Sequence, residues 1–351
     1  MKLNHSAILG VILLSACTVD DPAEPVGVDF SGGVYITNEG PFQGGNGTLT
    51  YYDPSTNATI QDVFNTNVSR PLGNIVHSAH IFENDLFVAV NNSGVVEKVH
   101  SDDMTSPVTY TGFQQPRYVH GVESNVIAVT DWGTNTVTFL DVTTTGTLGT
   151  VNVGNGPERM LQEGARLYVA NSGGFGLDST VMMIDVDTRT IIDTFYVGFN
   201  PNSMVMDING DLWVLCGGYT DWQNSANNRI GSLYKIDPIT GSVLDYFEFD
   251  AAPRPTALCI SSSDQTLYYL DNAYGGQVYA MDIYETTLPL SPLLMGVNGY
   301  SIAVDRNANE LYVTDPVDYS SQGRVFRYDL INQQMVDTIA AGIIPGNVIF
   351  N

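Results

Sequence analysis

Seven times along the chain an apolar, mostly aromatic run is cut off by Asn, Asp or Gly. The copies read VYITNEG from Val34, LFVAVNNSG from Leu86, VIAVTDWG from Val126 and LYVANSGG from Leu167. They continue as LWVLCGG from Leu212, LYYLDN from Leu267 and LYVTDP from Leu311. Their second residues are Tyr35, Phe87, Ile127, Tyr168, Trp213, Tyr268 and Tyr312. Short runs this apolar, rich in β-branched and aromatic side chains and bounded by turn formers, read as buried strands. No stretch keeps a 3.6-residue apolar period for three turns, so almost no helix is predicted.

The copy at Tyr168 shows the full repeat. Arg159–Gln162 is a short inner strand and Glu163-Gly164 a tight turn. Leu167–Ala170 is the second strand, Val181–Ile184 the third, and Ile191–Val197 the fourth, with a Gly-rich loop from Asn171 to Asp178. Copies start 40 to 55 residues apart. A period of this size built only from strands predicts one four-stranded antiparallel sheet per repeat, hence an all-β, seven-bladed propeller. The chain ends in Pro345–Phe350, an inner strand with no second strand after it, and Gly33–Ile36 lacks an inner strand before it. Joined, the two ends complete one blade and leave no open sheet edge.

The third strand ends in Asp53, Asp141, Asp185, Asp237, Asp282 and Asp329. An aspartate here accepts a backbone N–H two residues on and starts a turn, so these acids are structural. His100 takes the equivalent place in the second copy.

Loops from strand two to strand three share a face with the connections between blades. The first set carries Phe42, Trp132, Phe175, Tyr219, Trp222, Tyr274 and Tyr319. The second surrounds the channel mouth with Arg70, His77, Gln115, Arg117, Tyr118, Glu158, Arg159, Asn200, Asn202, Arg254, Asn298 and Tyr300. With Arg229, this puts five arginines of the 13 basic residues on or near one face. Aromatic, Arg and Asn side chains on a concave rim make a recognition surface. The candidate ligand-binding residues are Phe42, His77, Arg117, Tyr118, Trp132, Glu158, Arg159, Phe175, Asn202, Tyr219, Trp222, Arg254, Tyr274, Tyr300 and Tyr319.

Charge narrows the partners. Asp and Glu number 38 against 13 Lys and Arg, for a formal net charge of −25. Such acidity argues against nucleic acid or an anionic membrane surface as partner. Cys216 and Cys259 both sit in apolar strand runs and read as two free thiols. No Gly-x-Ser-x-Gly, His-Glu-x-x-His, phosphate loop, Cys-x-x-Cys-His or calcium-loop pattern occurs, and the chain reads as a non-enzyme. His77, His80 and His120 offer at most a two-His set, so neither a metal nor a permanently bound cofactor is expected.

The N-terminus changes the picture of location. Lys2 precedes an apolar stretch, Ala7–Leu14, too short to span a bilayer. Leu14-Ser15-Ala16-Cys17 resembles the bacterial lipobox, which implies a signal peptide over residues 1–16 and lipidation of Cys17. Residues 17–30, with Asp20, Asp21, Pro22, Glu24 and Pro25, read as an acidic disordered tether, and residues 31–351 as the propeller. The acidic run also resembles the surface-export signal of Bacteroidetes lipoproteins.

The LYVANSGG-type strand, the lead-ins Gly154-Asn155-Gly156-Pro157 and Gly198-Phe199-Asn200-Pro201, and the Asp-x-x-Thr turns resemble the YncE-like, surface-layer-type seven-bladed propellers. Together with the lipobox and tether they resemble Bacteroidetes surface lipoproteins that serve TonB-dependent outer-membrane transporters, among them cobalamin-binding propellers. That resemblance implies an outer-membrane, lipid-anchored, surface-exposed protein that captures a large nutrient, cobalamin (vitamin B12) by preference, and passes it to a TonB-dependent transporter. It supplies no residue-level site. A siderophore- or haem-capture lipoprotein, a protein-binding or adhesive surface propeller, and a hydrolase with a metal in the channel near Glu158 and Asn202 stand as alternatives.

Overall fold

The computed structural model describes residues 28–42, 44–250 and 254–351. The signal peptide, the lipidation site Cys17 and nearly all of the acidic tether lie outside the described residues. The strands form seven four-stranded antiparallel sheets, as the repeat predicts. Blades are numbered here by the order of their second strands. Blade 1 takes its inner strand, Pro345–Phe350, from the C-terminus and its second strand, Val34–Asn38, from the N-terminus. Val34 pairs with Phe350, Tyr35 with Ile349 and Ile36 with Val348. The other inner strands are Val76–Phe82, Pro116–Glu123, Pro157–Glu163, Pro201–Met206, Thr256–Ile260 and Ser301–Asp305, in blades 2 to 7.

The closure is clipped as well as paired. Asn351 donates its backbone N–H to Gly33 and its side-chain amide to Phe30 and Asp102. Phe30, counted with the tether from sequence, is fully buried against Tyr35 and Tyr51. The folded unit therefore reaches back past the predicted boundary. A single aromatic in an acidic, Pro-rich stretch gave no periodic signal to place it.

Second strands are buried along almost their whole length, including Tyr35, Phe87, Ile127, Tyr168, Trp213 and Tyr312. Their side chains fill the spaces between neighbouring blades, where the core divides into successive apolar clusters. The structural reading of the repeated aspartates holds. Asp53, Asp141, Asp237, Asp282 and Asp329 each accept the backbone N–H two residues on, and Asp185 that of Thr188, three on. Blade 2 uses Asp103 instead, which accepts from Thr105 and lies 3.4 Å from His100.

One α-helix, Val63–Val68, follows blade 1 and buries Val63 and Phe64. Three apolar residues within six positions, Val63, Phe64 and Val68, are too few to show a helical period. The helix moves Arg70 away from the mouth. Arg70 makes a bidentate pair with Glu97, with both bonds under 3.0 Å, and stands over Phe64. Cys216 and Cys259 are unbridged, and burial pushes each thiol up to about 12. No helix among the described residues is long and apolar enough to cross a membrane.

Candidate functional site

The mouth is built by a repeated irregularity. In blades 1 to 6 the pairing between inner and second strand slips at the mouth end. A bulge re-aims the side chains around it. Here it falls at or beside His77, Arg117 and Tyr118, Glu158 and Arg159, and Asn202. Proline stands before the mouth residue at Pro116, Pro157 and Pro201 and has no N–H to leave unpaired there.

These residues surround a cavity of about 230 Å³ at the channel mouth. Eight of the predicted ligand-binding residues line it: His77, Arg117, Tyr118, Glu158, Arg159, Asn202, Tyr274 and Tyr300. Glu39 joins them, and sequence reading missed it. Five residues directly past a second strand donate their N–H to the carbonyl directly preceding the inner strand: Glu39, Asn91, Trp132, Ser172 and Gly217. Glu39 is the sole acid at this place. One acid in five copies was the available signal, and it lies inside a motif that otherwise reads as scaffold.

Contacts run continuously across the mouth. The Tyr300 hydroxyl donates to Glu39 Oε1 at 3.0 Å. Glu39 Oε1 lies 3.6 Å from His77 Nδ1, and Glu158 Oε2 lies 3.9 Å from His77 Nε2. Glu158 Oε1 accepts from Arg117 Nη2 at 2.7 Å and from its Nε at 3.1 Å. The Arg117 guanidinium sits 4.0 Å from the Trp132 ring centre, and Phe175 meets Trp132 edge-on. Tyr118 packs edge-on against His77 and carries Arg159 over its own ring.

His77 is the unusual member. Both ring nitrogens are buried, yet neither has a hydrogen-bond partner among the described residues. Burial and the Arg117 cation hold its pKa below the ordinary histidine value, against the pull of Glu39 and Glu158. The ring is therefore neutral at pH 7, although two carboxylates flank it. Burial works against the Glu39 carboxylate, but His77, Arg117 and Tyr300 outweigh it and hold its pKa below the usual range. Burial and the Glu39 charge raise Tyr300 well above the usual phenol value. The mouth thus presents a neutral imidazole, two carboxylates, and Arg159, which has no ion-pair partner among the described residues. Asn202 plays a different part. Its amide donates to the Pro255 carbonyl at 3.0 Å and ties blade 5 to blade 6.

A second, more open concavity lies beside the mouth. Tyr219, Trp222 and Arg254 line a groove of about 580 Å³ with Leu177 and Asn200. Arg254 lies within 6 Å of the Trp222 and Tyr274 ring centres, so Tyr274 links groove and mouth. Gly156 permits the neighbouring Phe175 loop to close in, because a Cβ there would lie 2.1 Å from the Gly174 nitrogen. Tyr319 packs edge-on against Tyr300 at the rim. Phe42 lines neither concavity and is 83% exposed. Arg229 is spent on its own loop, donating to the carbonyls of Asn227 and Asn228. Among the described residues no group of three or more His, Cys, Asp or Glu is placed to hold a metal ion.

Residues 32–341 match the family described as a domain of unknown function, DUF5074, and the chain belongs to that family. No curated protein matches it. Several solved structures share the fold at low identity. A quinonprotein alcohol dehydrogenase-like protein from Bacteroides thetaiotaomicron is 14% identical, with TM-score 0.67, over 92% of this chain and 79% of that one. A putative 6-phosphogluconolactonase from Bacteroides fragilis is 11% identical, with TM-score 0.64, over 91% and 98%. Apo AztD from Citrobacter koseri is 12% identical, with TM-score 0.54, over 91% and 97%. At these identities the likeness shows the propeller fold alone.

Proposed function

We propose that this member of the DUF5074 family is a ligand-capture propeller that holds a large nutrient, cobalamin by preference, across the channel mouth. The observation that carries this reading is His77, whose two buried, unpartnered nitrogens face the mouth between Glu39 and Glu158. Unpaired buried polar groups are costly, and a ligand that bonds to them recovers that cost. The two carboxylates accept from amide N–H groups, and Arg159 takes an anionic group. Cobalamin offers both, as peripheral carboxamides and a phosphodiester. Trp222, Phe175 and Tyr274 stand exposed beside the mouth, and rigid aromatics of this kind cover a broad, flat ligand. The reaction is binding and release, without catalysis. The lipid on Cys17 anchors the protein at the outer-membrane surface, and the ligand passes to a TonB-dependent transporter.

The test is calorimetric titration of the full chain with cyanocobalamin at micromolar concentration. Saturable heat at one equivalent, lost in Trp222→Ala and Arg159→Met, supports the reading. Absence of heat overturns the preference for cobalamin. Quenching of Trp132 and Trp222 fluorescence by a ferric siderophore or haem, without a response to cobalamin, supports the alternative ligand class.

A further inference from the structure

Mouth and groove offer a ligand different charge. Every Lys and Arg among the described residues is ion-paired with a carboxylate except Arg159, Arg166, Arg229 and Arg254. Arg166 stands at the start of a second strand, at the end away from the mouth, and Arg229 is spent on its own loop. That leaves Arg159 in the mouth and Arg254 in the groove. In a chain with 38 acids, two unpaired cations in adjoining concavities point to an anion from outside.

Arg254 is held in place for that task. Its Nε donates to Thr220 Oγ1 at 3.0 Å, and its guanidinium lies 5.5 Å from the Trp222 ring centre and 5.9 Å from that of Tyr274. Its terminal nitrogens have no hydrogen-bond partner among the described residues. The neighbours at 251–253, outside the described residues, are Ala, Ala and Pro and bring no charge. A guanidinium fixed through Nε and packed on rings presents its remaining fork, which matches the two oxygens of a carboxylate or phosphate. Asp221 is the one acid lining the groove among the described residues, and it holds its own loop. Its oxygens accept from the N–H groups of Gln223 and Asn224 and from the Asn227 amide. Asn200 and Gln223 add amide groups to the same wall. The mouth, with Glu39 and Glu158, calls for N–H groups, whereas the groove calls for oxygen acceptors. A net charge of −25 repels polyanions at long range, so the anionic group is small and recognised at contact. Trp222 and Tyr274 are exposed beside the cation and offer ring faces to a planar body.

We propose that the groove is an anion subsite, in which Arg254 pairs with one phosphate or carboxylate group carried on a planar ring and the ring lies against Trp222 and Tyr274. For its place in a larger ligand the subsite rests on the capture reading, in which Arg159 takes a separate anionic group; its own chemistry does not.

The full chain is titrated with phenyl phosphate, benzoate and phenol at low ionic strength, and binding is followed by ligand-observed NMR. Saturable binding of at least one of the two anions is expected, with phenol about tenfold weaker or more. The tighter of the two anions distinguishes a phosphate ester from a carboxylate as the natural group. Arg254→Met should bring that anion down to the level of phenol. Arg254→Lys should keep part of the gain, because the charge remains and the fork is lost. Trp222→Ala should weaken anions and phenol alike, with unchanged circular dichroism. Anion binding no tighter than that of phenol overturns the proposal, as does a loss that follows Arg159→Met and not Arg254→Met. Cyanocobalamin binding without any response to either anion also overturns it, while the capture reading stands. Anion binding that depends on Arg254, with no heat from cyanocobalamin, upholds the subsite and removes the preferred nutrient.

Discussion

Mouth and groove sit side by side on one face and are built in opposite ways. At the mouth, Tyr300, Glu39, His77, Glu158, Arg117 and Trp132 contact one another in series and are largely withdrawn from water. In the groove, Trp222 is 86% exposed and its loop is held by turns within itself. Under the proposed capture role, mouth side chains fixed before a ligand arrives would supply selectivity. The groove aromatics have little protein contact to lose and in that role would supply contact area. The same substitution logic should therefore give opposite readouts in the two regions: stability at the mouth, affinity in the groove.

The largest effect is expected from Glu158→Ala. It removes the partner of the buried Arg117 guanidinium and leaves an uncompensated charge. Breaking a buried pair from one side costs about 3–5 kcal/mol. Chemical denaturation should show a loss of that order, and Arg117→Met in the same background should restore part of it. A loss no larger than that of an exposed ion pair would mean that the mouth is not preorganised.

Acid should act on the channel side and spare the groove. The folded-state pKa values of His77, His80 and His120 lie below the ordinary value of 6.5. The unfolded chain therefore binds more protons below pH 6.5, and stability present above that pH is lost as pH falls. His80, pushed down to about 3, contributes on the order of 1 kcal/mol per pH unit through this range. Glu39, also lowered, adds its loss only below its ordinary value of 4.5. Between pH 6.5 and 4.5 the histidines should thus dominate. Denaturation at several pH values should show stability falling in that window, with a shallower slope in His80→Leu. A flat profile would place the rings in water.

The contrast also explains what could be read from sequence. The scaffold was legible because it repeats, and seven aromatic strands at a regular interval admit few architectures. Seven of the eight mouth residues were legible because they stand at the lead-in to an inner strand, often just past a proline, and Tyr274 because it stands on a strand-two-to-three loop. Glu39 was not, because it departs from its siblings by one side chain and its role depends on Tyr300, 261 residues away. Arg70 was misplaced for the opposite reason. It precedes the inner strand of blade 2 in sequence, but the helix Val63–Val68 turns it toward Glu97. Arg229 shows the same limit, since chain position alone does not reveal that its own loop carbonyls use it. Across all three, sequence located the backbone and missed the partner that engages the side chain, distant along the chain for Glu39 and Arg70 and local for Arg229.

In the groove, Trp222→Ala should cost binding about 1–2 kcal/mol, as a rigid aromatic anchor does. Its effect on stability should stay within about 0.5 kcal/mol, because the side chain has little burial to lose. Calorimetry and denaturation on one preparation separate the two numbers. A stability loss larger than the binding loss would merge groove and mouth into one rigid unit.

The smallest expected effect distinguishes two phenylalanines of equal exposure. Phe42 and Phe175 are each 83% exposed on strand-two-to-three loops. Phe175 meets Trp132 edge-on with ring centres 5.7 Å apart, and Trp132 in turn carries Arg117, so Phe175 is the outer end of the mouth series. Among the described residues Phe42 stacks on no aromatic ring, and it lines neither concavity. Phe175→Ala should weaken binding by about 0.5–1.5 kcal/mol, the range of a single aromatic pair. Phe42→Ala should leave both binding and stability within about 0.5 kcal/mol. If Phe42→Ala were instead the costlier change, the ligand would have to reach the loop Asn38–Gly47, and the binding surface would extend across blade 1, away from the groove.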